Sequence, residues 1–199
     1  MLLKTILLTL IIILSLASCK EESSYLPKPR IYPKVNYPVK EYKVFNLTTC
    51  PFTMSIPEYF NVIEDGLKTE QEKVHQCWYD LYCEELNSYI HLSYLPFKGR
   101  KAFDKLVRDA FEMVDKHNIK ASYRDELRID LPEKKVHGLL FDIDGPVATP
   151  LQFFLTDSTQ HFLRGSLYFK AEVNRDSIAP VYDFLKEDIE KMIGSFEFE

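Results

Sequence analysis

The chain of 199 residues has no internal repeat and no low-complexity tract, and glycine is scarce, at six residues. Basic residues do not dominate. Lys and Arg total 25 against 30 Asp and Glu, a formal net charge of −5, so the basic stripe that nucleic acid requires is missing. No second long apolar run follows the N-terminal one, which argues against a transmembrane helix beyond it. Cys-x-x-Cys and His-x-x-x-His are both absent. The five histidines, His75, His91, His117, His137 and His161, form no ligand set, and His75 with Cys77 lacks a second pair. No metal or other cofactor is expected. Gly-x-Ser-x-Gly is absent too. Asp157, Ser158 and His161 are three polar residues at a turn, whereas a catalytic triad is defined by three-dimensional geometry and roles. Their ordinary reading is a β-turn closed by Asx-type hydrogen bonds.

What is present begins at the N-terminus. Lys4 supplies a positive charge, Ile6 to Leu16 an apolar run, and Leu16-Ala17-Ser18-Cys19 closes it. Small residues before a cysteine read as the cleavage site of a bacterial lipoprotein signal peptide, residues 1–18. The cysteine thiol then becomes the thioether that carries diacylglycerol. Acyl chains gain about 0.8 kcal/mol per buried CH₂, so two or more hold a protein stably on a membrane. A lipidated, proline-punctuated tether is expected over 19–40, with Pro27, Pro29, Pro33 and Pro38 favouring an extended polyproline conformation. Lys20-Glu21-Glu22 resembles a short surface-export tag of some bacterial lipoproteins.

With Cys19 committed to lipid, Cys50, Cys77 and Cys83 remain. An oxidising compartment favours one disulfide and one leftover thiol. Cys77 and Cys83 share strand parity but lie too far apart along an extended strand to bond. Cys50 therefore pairs with Cys77 or Cys83, or all three stay reduced and buried as small apolar residues.

A single α+β domain is expected over 41–199. Tyr42–Leu47 and Phe52–Ile56 read as strands, the second bounded by Pro51 and Pro57. Gln76–Leu86 and Ser88–Leu95 alternate in character about Asn87, as an antiparallel hairpin does. Phe103, Leu106, Val107, Ala110, Val114 and His117 recur at three- and four-residue steps, which predicts an amphipathic helix over Gly99–Ile119. Four strands follow, Ser122–Leu131, Lys135–Ile143, Pro150–Thr156 and His161–Phe169. A second helix spans Asp176–Ile193, capped by Asp176 or Ser177, with Pro180 tolerated in a first turn whose amides lack helical partners. Ser195–Glu199 is a last short strand. This order is not βαβ alternation. It gives an antiparallel sheet of about seven or eight strands with two helices packed on it. The order also resembles the PsbP-like group of small sandwiches, through Phe52-Thr-Met-Ser-Ile56-Pro57 and the final helix leading into Ile193-Gly-Ser-Phe196.

Leu139-Leu-Phe-Asp142-Ile-Asp144-Gly145 looks like the first motif of haloacid-dehalogenase-type phosphatases, in which an aspartate attacks phosphorus. That motif should end the first strand of a doubly wound fold. Only 55 residues follow Asp144, too few for the remaining machinery. A strand running into an Asp-Gly-Pro turn is the plainer reading. The aromatic runs Trp78-Tyr-Asp-Leu-Tyr82 and Phe153-Phe-Leu155 suit a sheet core more than a ligand pocket.

The segment Gln152-Phe153-Phe-Leu155-Thr156-Asp157-Ser158-Thr-Gln-His161-Phe162-Leu163-Arg164-Gly165 closely resembles the gliding-motility lipoprotein GldD family of the Bacteroidetes. Pro27-Lys-Pro-Arg30, Cys50-Pro51-Phe52, Cys77-Trp78, Ile90-His91-Leu-Ser93-Tyr94 and Asn174-Arg-Asp176-Ser177 agree with it. Mild departures are Ala148-Thr149-Pro150, where the family favours Ala-Ser-Pro, and Val173-Asn174, where it favours Pro-Asn. The resemblance implies a lipoprotein without enzymatic activity, required for gliding and for type IX secretion. Its partners would be the membrane, through the acyl chains on Cys19, and other envelope proteins of that apparatus, not nucleic acid. It implies the disulfide Cys50–Cys77 with Cys83 free. It makes Thr156, Asp157, Ser158, His161 and Arg164 the candidate partner-binding surface. The periplasmic face of the outer membrane is the expected location, with the cell surface or inner membrane as rivals. A phosphatase-like envelope hydrolase on Asp142 and Asp144, or a ligand-binding lipoprotein, is the alternative function.

Overall fold

The computed structural model describes residues 34–64, 77–118, 121–170 and 175–199. The expected signal peptide over 1–18, Cys19, the expected tether up to residue 33 and His75 lie outside the described residues. One compact unit spans Tyr32–Glu199.

The architecture is α+β. Ten strands form two sheets: β1 (Tyr42–Asn46), β2 (Phe52–Pro57), β3 (Asn61–Glu64), β4 (Trp78–Cys83), β5 (Ser88–Tyr94), β6 (Tyr123–Leu131), β7 (Val136–Asp144), β8 (Leu151–Thr156), β9 (Phe162–Phe169) and β10 (Glu197–Phe198). The helices are α1 (Arg100–Asn118) and α2 (Arg175–Ser195). The smaller sheet has the order β1-β2-β10, the larger β3-β4-β5-β9-β8-β7-β6. Every pairing among the described residues is antiparallel.

Period-two burial explains the layers. On β5, Ile90, Leu92 and Tyr94 are buried while Tyr89, His91 and Ser93 are half-exposed. The buried set faces a core shared with β2, α2 and the inner side of β8 and β9, including Phe52, Ile56, Leu185, Ile189 and Phe196. The opposite side of the large sheet is covered only in part. There α1 lays Ala110 and Val114 over Phe141, Ile143, Phe154 and Phe162, the stripe expected of an amphipathic helix. The run Phe153-Phe154-Leu155 is buried throughout because both faces of β8 are covered, Phe153 and Leu155 in one core and Phe154 in the other.

Three details differ from the sequence-based expectation. β3 was not legible, because Asn61-Val-Ile-Glu64 does not alternate, and Val62 and Ile63 remain exposed at the sheet edge. Pro180 lies inside α2 and beyond its first turn, so its missing amide leaves an interior helical carbonyl without its usual donor. Part of the stretch assigned to a tether, residues 34–40, also contacts the domain. Val35 packs against the main core, Tyr37 against Phe184 at 4.8 Å, and Lys40 bonds Glu187 at 2.7 Å. The fully buried carboxylate of Asp188 accepts the hydroxyls of Tyr42, at 2.5 Å, and Tyr59. Burial, and then the bond to Asp188, raise the pKa of both phenols.

At the far edge of the large sheet, β6 carries Arg124, Asp125, Glu126, Arg128 and Asp130. Arg124 bonds Asp115 at 2.6 Å and Glu126 at 2.7 Å. A charged edge discourages pairing with a further strand.

Candidate functional site

The residues singled out in the sequence fall at three places. The first is the β8–β9 turn. Asp157 Oδ1 accepts the backbone N–H groups of Thr159 at 3.0 Å, Gln160 at 3.0 Å and His161 at 2.8 Å. Its other oxygen accepts the Thr159 hydroxyl. Partial burial pushes the Asp157 pKa up, but the Thr159 hydroxyl and these amides outweigh burial and bring it down to about 2. Thr156 Oγ1 donates to the His161 carbonyl at 2.7 Å and accepts the Ser158 amide at 3.0 Å. Ser158 sits at φ +63°, a left-handed conformation that these bonds sustain. The His161 ring meets the Tyr94 hydroxyl at 2.6 Å and stacks on Phe198 at 5.1 Å. Thr156, Asp157, Ser158 and His161 thus form one closed turn, and its tip, Ser158–Gln160, is exposed.

The second place is the open face of the large sheet, beyond the reach of α1. Cross-strand register lines up three rows. Tyr82, Tyr89 and Tyr168 form one, with Tyr82 and Tyr89 stacked at 4.5 Å. Asp80, His91, Ser166 and Gln152 form the next, with the His91 ring bonded to Asp80. Trp78, Ser93 and Arg164 form the third. Where this face meets α1 there is a cleft of about 270 Å³. Its lining includes His91, Ser93, Arg164 and Ser166 from the sheet, and Met113 and Lys116 from the helix. Arg164 therefore stands apart from the other four motif residues, inside the cleft instead of at the turn. Sequence reasoning missed the cleft. The alternation of β5 and β9 marks one half-polar face, but nothing in the sequence says where α1 stops covering it.

The third place is β7. Asp142 faces α2, where Tyr182 donates to its Oδ1 at 2.5 Å and Lys186 to its Oδ2 at 2.7 Å. That bond raises the Lys186 pKa. Asp142 and Asp144 lie on an antiparallel strand in the middle of β6-β7-β8, not at the end of a parallel one, so the surroundings a phosphatase motif needs are missing.

Cys50 and Cys77 form a disulfide with Cα atoms 5.4 Å apart, and Cys83 is a buried free thiol. Burial pushes the Cys83 thiol up to about 11. No group of three His, Cys, Asp or Glu side chains among the described residues is placed to hold a metal ion. No helix among them is long and apolar enough to cross a membrane.

These features define a two-sheet α+β domain with a rigid polar turn and a half-open aromatic and cationic face. The chain belongs to the gliding motility lipoprotein GldD family, whose family model matches residues 22–198. No match is found among curated proteins. Among solved structures, the chain is similar to cyanobacterial PsbP (CyanoP) from Synechocystis sp. PCC 6803. The identity is 10%, 84% of this chain and 98% of that one are covered, and the TM-score is 0.49.

Proposed function

We propose that this gliding motility lipoprotein is a lipid-anchored accessory protein of the cell envelope, needed for gliding and for type IX protein secretion. It acts by binding other proteins of that apparatus, without turning over a substrate. The observation that carries the reading is the family match over residues 22–198, which begins just after the lipobox cysteine, Cys19. The anchor lies on the periplasmic face of the outer membrane. Confinement there raises the effective concentration of the domain near its partners, so weak contacts suffice.

The β8–β9 turn supports the interaction part of this reading. Its exposed tip is held by Asp157 and Thr156, so a partner meets an ordered surface and loses little entropy on binding. Arg164 extends the same motif onto the sheet face. A hydrolase on Asp142 and Asp144 has less in its favour, since Asp142 is already engaged by Tyr182 and Lys186.

The test is a strain carrying Cys19→Ser. The expected result is a folded domain that no longer fractionates with membranes, with gliding and secretion lost. Full gliding by a soluble Cys19→Ser protein would remove the anchor from the mechanism.

A further inference from the structure

The cleft beside α1 holds two cations, Arg164 and Lys116, that make no hydrogen bond or ion pair with a described residue. The surroundings are otherwise well paired. On α1, Asp109 is bonded to Lys105 at 2.6 Å and Asp115 to Arg124 at 2.6 Å. On the sheet, His91 is bonded to Asp80. Arg164 is half-buried at the foot of the helix, and burial lowers its pKa while Asp109 partly offsets that. A half-buried guanidinium that no carboxylate hydrogen-bonds, with Asp109 already bonded to Lys105, costs stability, so the position is better explained by an anion that arrives from outside. The guanidinium presents several N–H donors in a fixed planar fork, which suits two oxygens of a single group. Ser93, its register neighbour on β5, and Ser166, two residues along β9, place hydroxyls on the same cleft. Lys116 adds a second positive charge from the helix side.

We propose that this cleft binds an oxyanion, a carboxylate or phosphate group of a small ligand. Arg164 is the chief recognition residue, and Lys116, Ser93 and Ser166 assist it. A space of about 270 Å³ falls just under the usual size of small-molecule sites, so it takes an anionic group with a short body. This inference is independent of the anchor.

The chain carries one tryptophan, Trp78, and it lies in the same cross-strand row as Ser93 and Arg164. It does not itself line the cleft, so binding is followed by isothermal titration calorimetry as well as by its fluorescence. The intact protein in detergent is titrated with sodium succinate and, separately, with inorganic phosphate, ionic strength being held constant with sodium chloride. The expected result is a saturable change with at least one probe, with a Kd on the order of millimolar. The probe that saturates identifies the group. Arg164→Gln weakens binding about tenfold or more, and the exposed Lys116→Gln weakens it about threefold, as removal of a charge-assisted bond and of a nearby charge should. Lys116→Gln leaves the unliganded melting temperature unchanged, so it carries the test if Arg164→Gln fails to fold. No saturation with either probe, or affinity unchanged in the variants that fold, overturns the proposal.

Discussion

The ring of Phe153 lies across the β8–β9 pair directly over Gly165, so close that a Cβ at position 165 would sit 2.1 Å from Phe153 Cζ. Both residues face the main core, and Gly165 immediately follows Arg164. The missing side chain lets a large aromatic ring fill the sheet face at that point.

Gly165→Ala should therefore cost about 1–3 kcal/mol, the usual cost of overpacking a filled core. Gly194 is the control. It lies in the last turn of α2, where a Cβ meets nothing within 4 Å, so Gly194→Ala should add about 0.5–1 kcal/mol. Denaturant melts of the two variants should move in opposite directions.

Asp157 makes the β8–β9 turn sensitive to acid. Its folded pKa, about 2, lies below the ordinary carboxylate value. Its contribution to stability is complete above about pH 4 and is lost as the pH falls through about 2. Asp157→Asn should cost about 1 kcal/mol at neutral pH, as loss of a charged cap does. Measured against pH, wild type should lose stability faster than the variant between those limits, and the two should converge at the acid end.

The cysteines predict a redox signature. The disulfide Cys50–Cys77 spans 27 residues of sequence, a separation for which chain entropy gives about 3–4 kcal/mol of stabilisation. Reductant should lower the denaturation midpoint accordingly. Cys83 is buried and its thiol is pushed up to about 11, so iodoacetamide should leave it unlabelled in the native protein and label it after unfolding. Labelling of native Cys83 at the rate of a free peptide thiol would contradict the structure.

Asp142 tests the rival chemistry. Asp142→Asn weakens the bonds from Tyr182 and Lys186, and should lower stability by about 1–2 kcal/mol. The Asp142→Asn, Asp144→Asn double variant should still support gliding and secretion if it folds. Their loss in a variant that stays folded at the growth temperature would favour the hydrolase reading.

Most of the fold was legible because its signals are local. The 3.6-residue period of Phe103 to Val114 produced α1, and alternation about Asn87, which the structure holds at φ +47°, produced the β4–β5 hairpin. What was not legible depends on tertiary placement. β3 is a short edge strand whose exposed Val62 and Ile63 carry no period-two pattern. The division into two sheets rests on β2 pairing with β10 from the far end of the chain, Thr53 opposite Glu197. The turn residues announced themselves through Asx chemistry, whereas the cleft around Arg164 depends on where α1 ends above the sheet.

The proposed anchoring rests on an acylated Cys19 that holds the domain on a membrane. It is tested most directly by mass spectrometry of the N-terminal peptide of the protein isolated from cells. The expected peptide begins at Cys19 and carries a diacylglyceryl thioether. A peptide with residues 1–18 still attached and an unmodified thiol at Cys19 would contradict it.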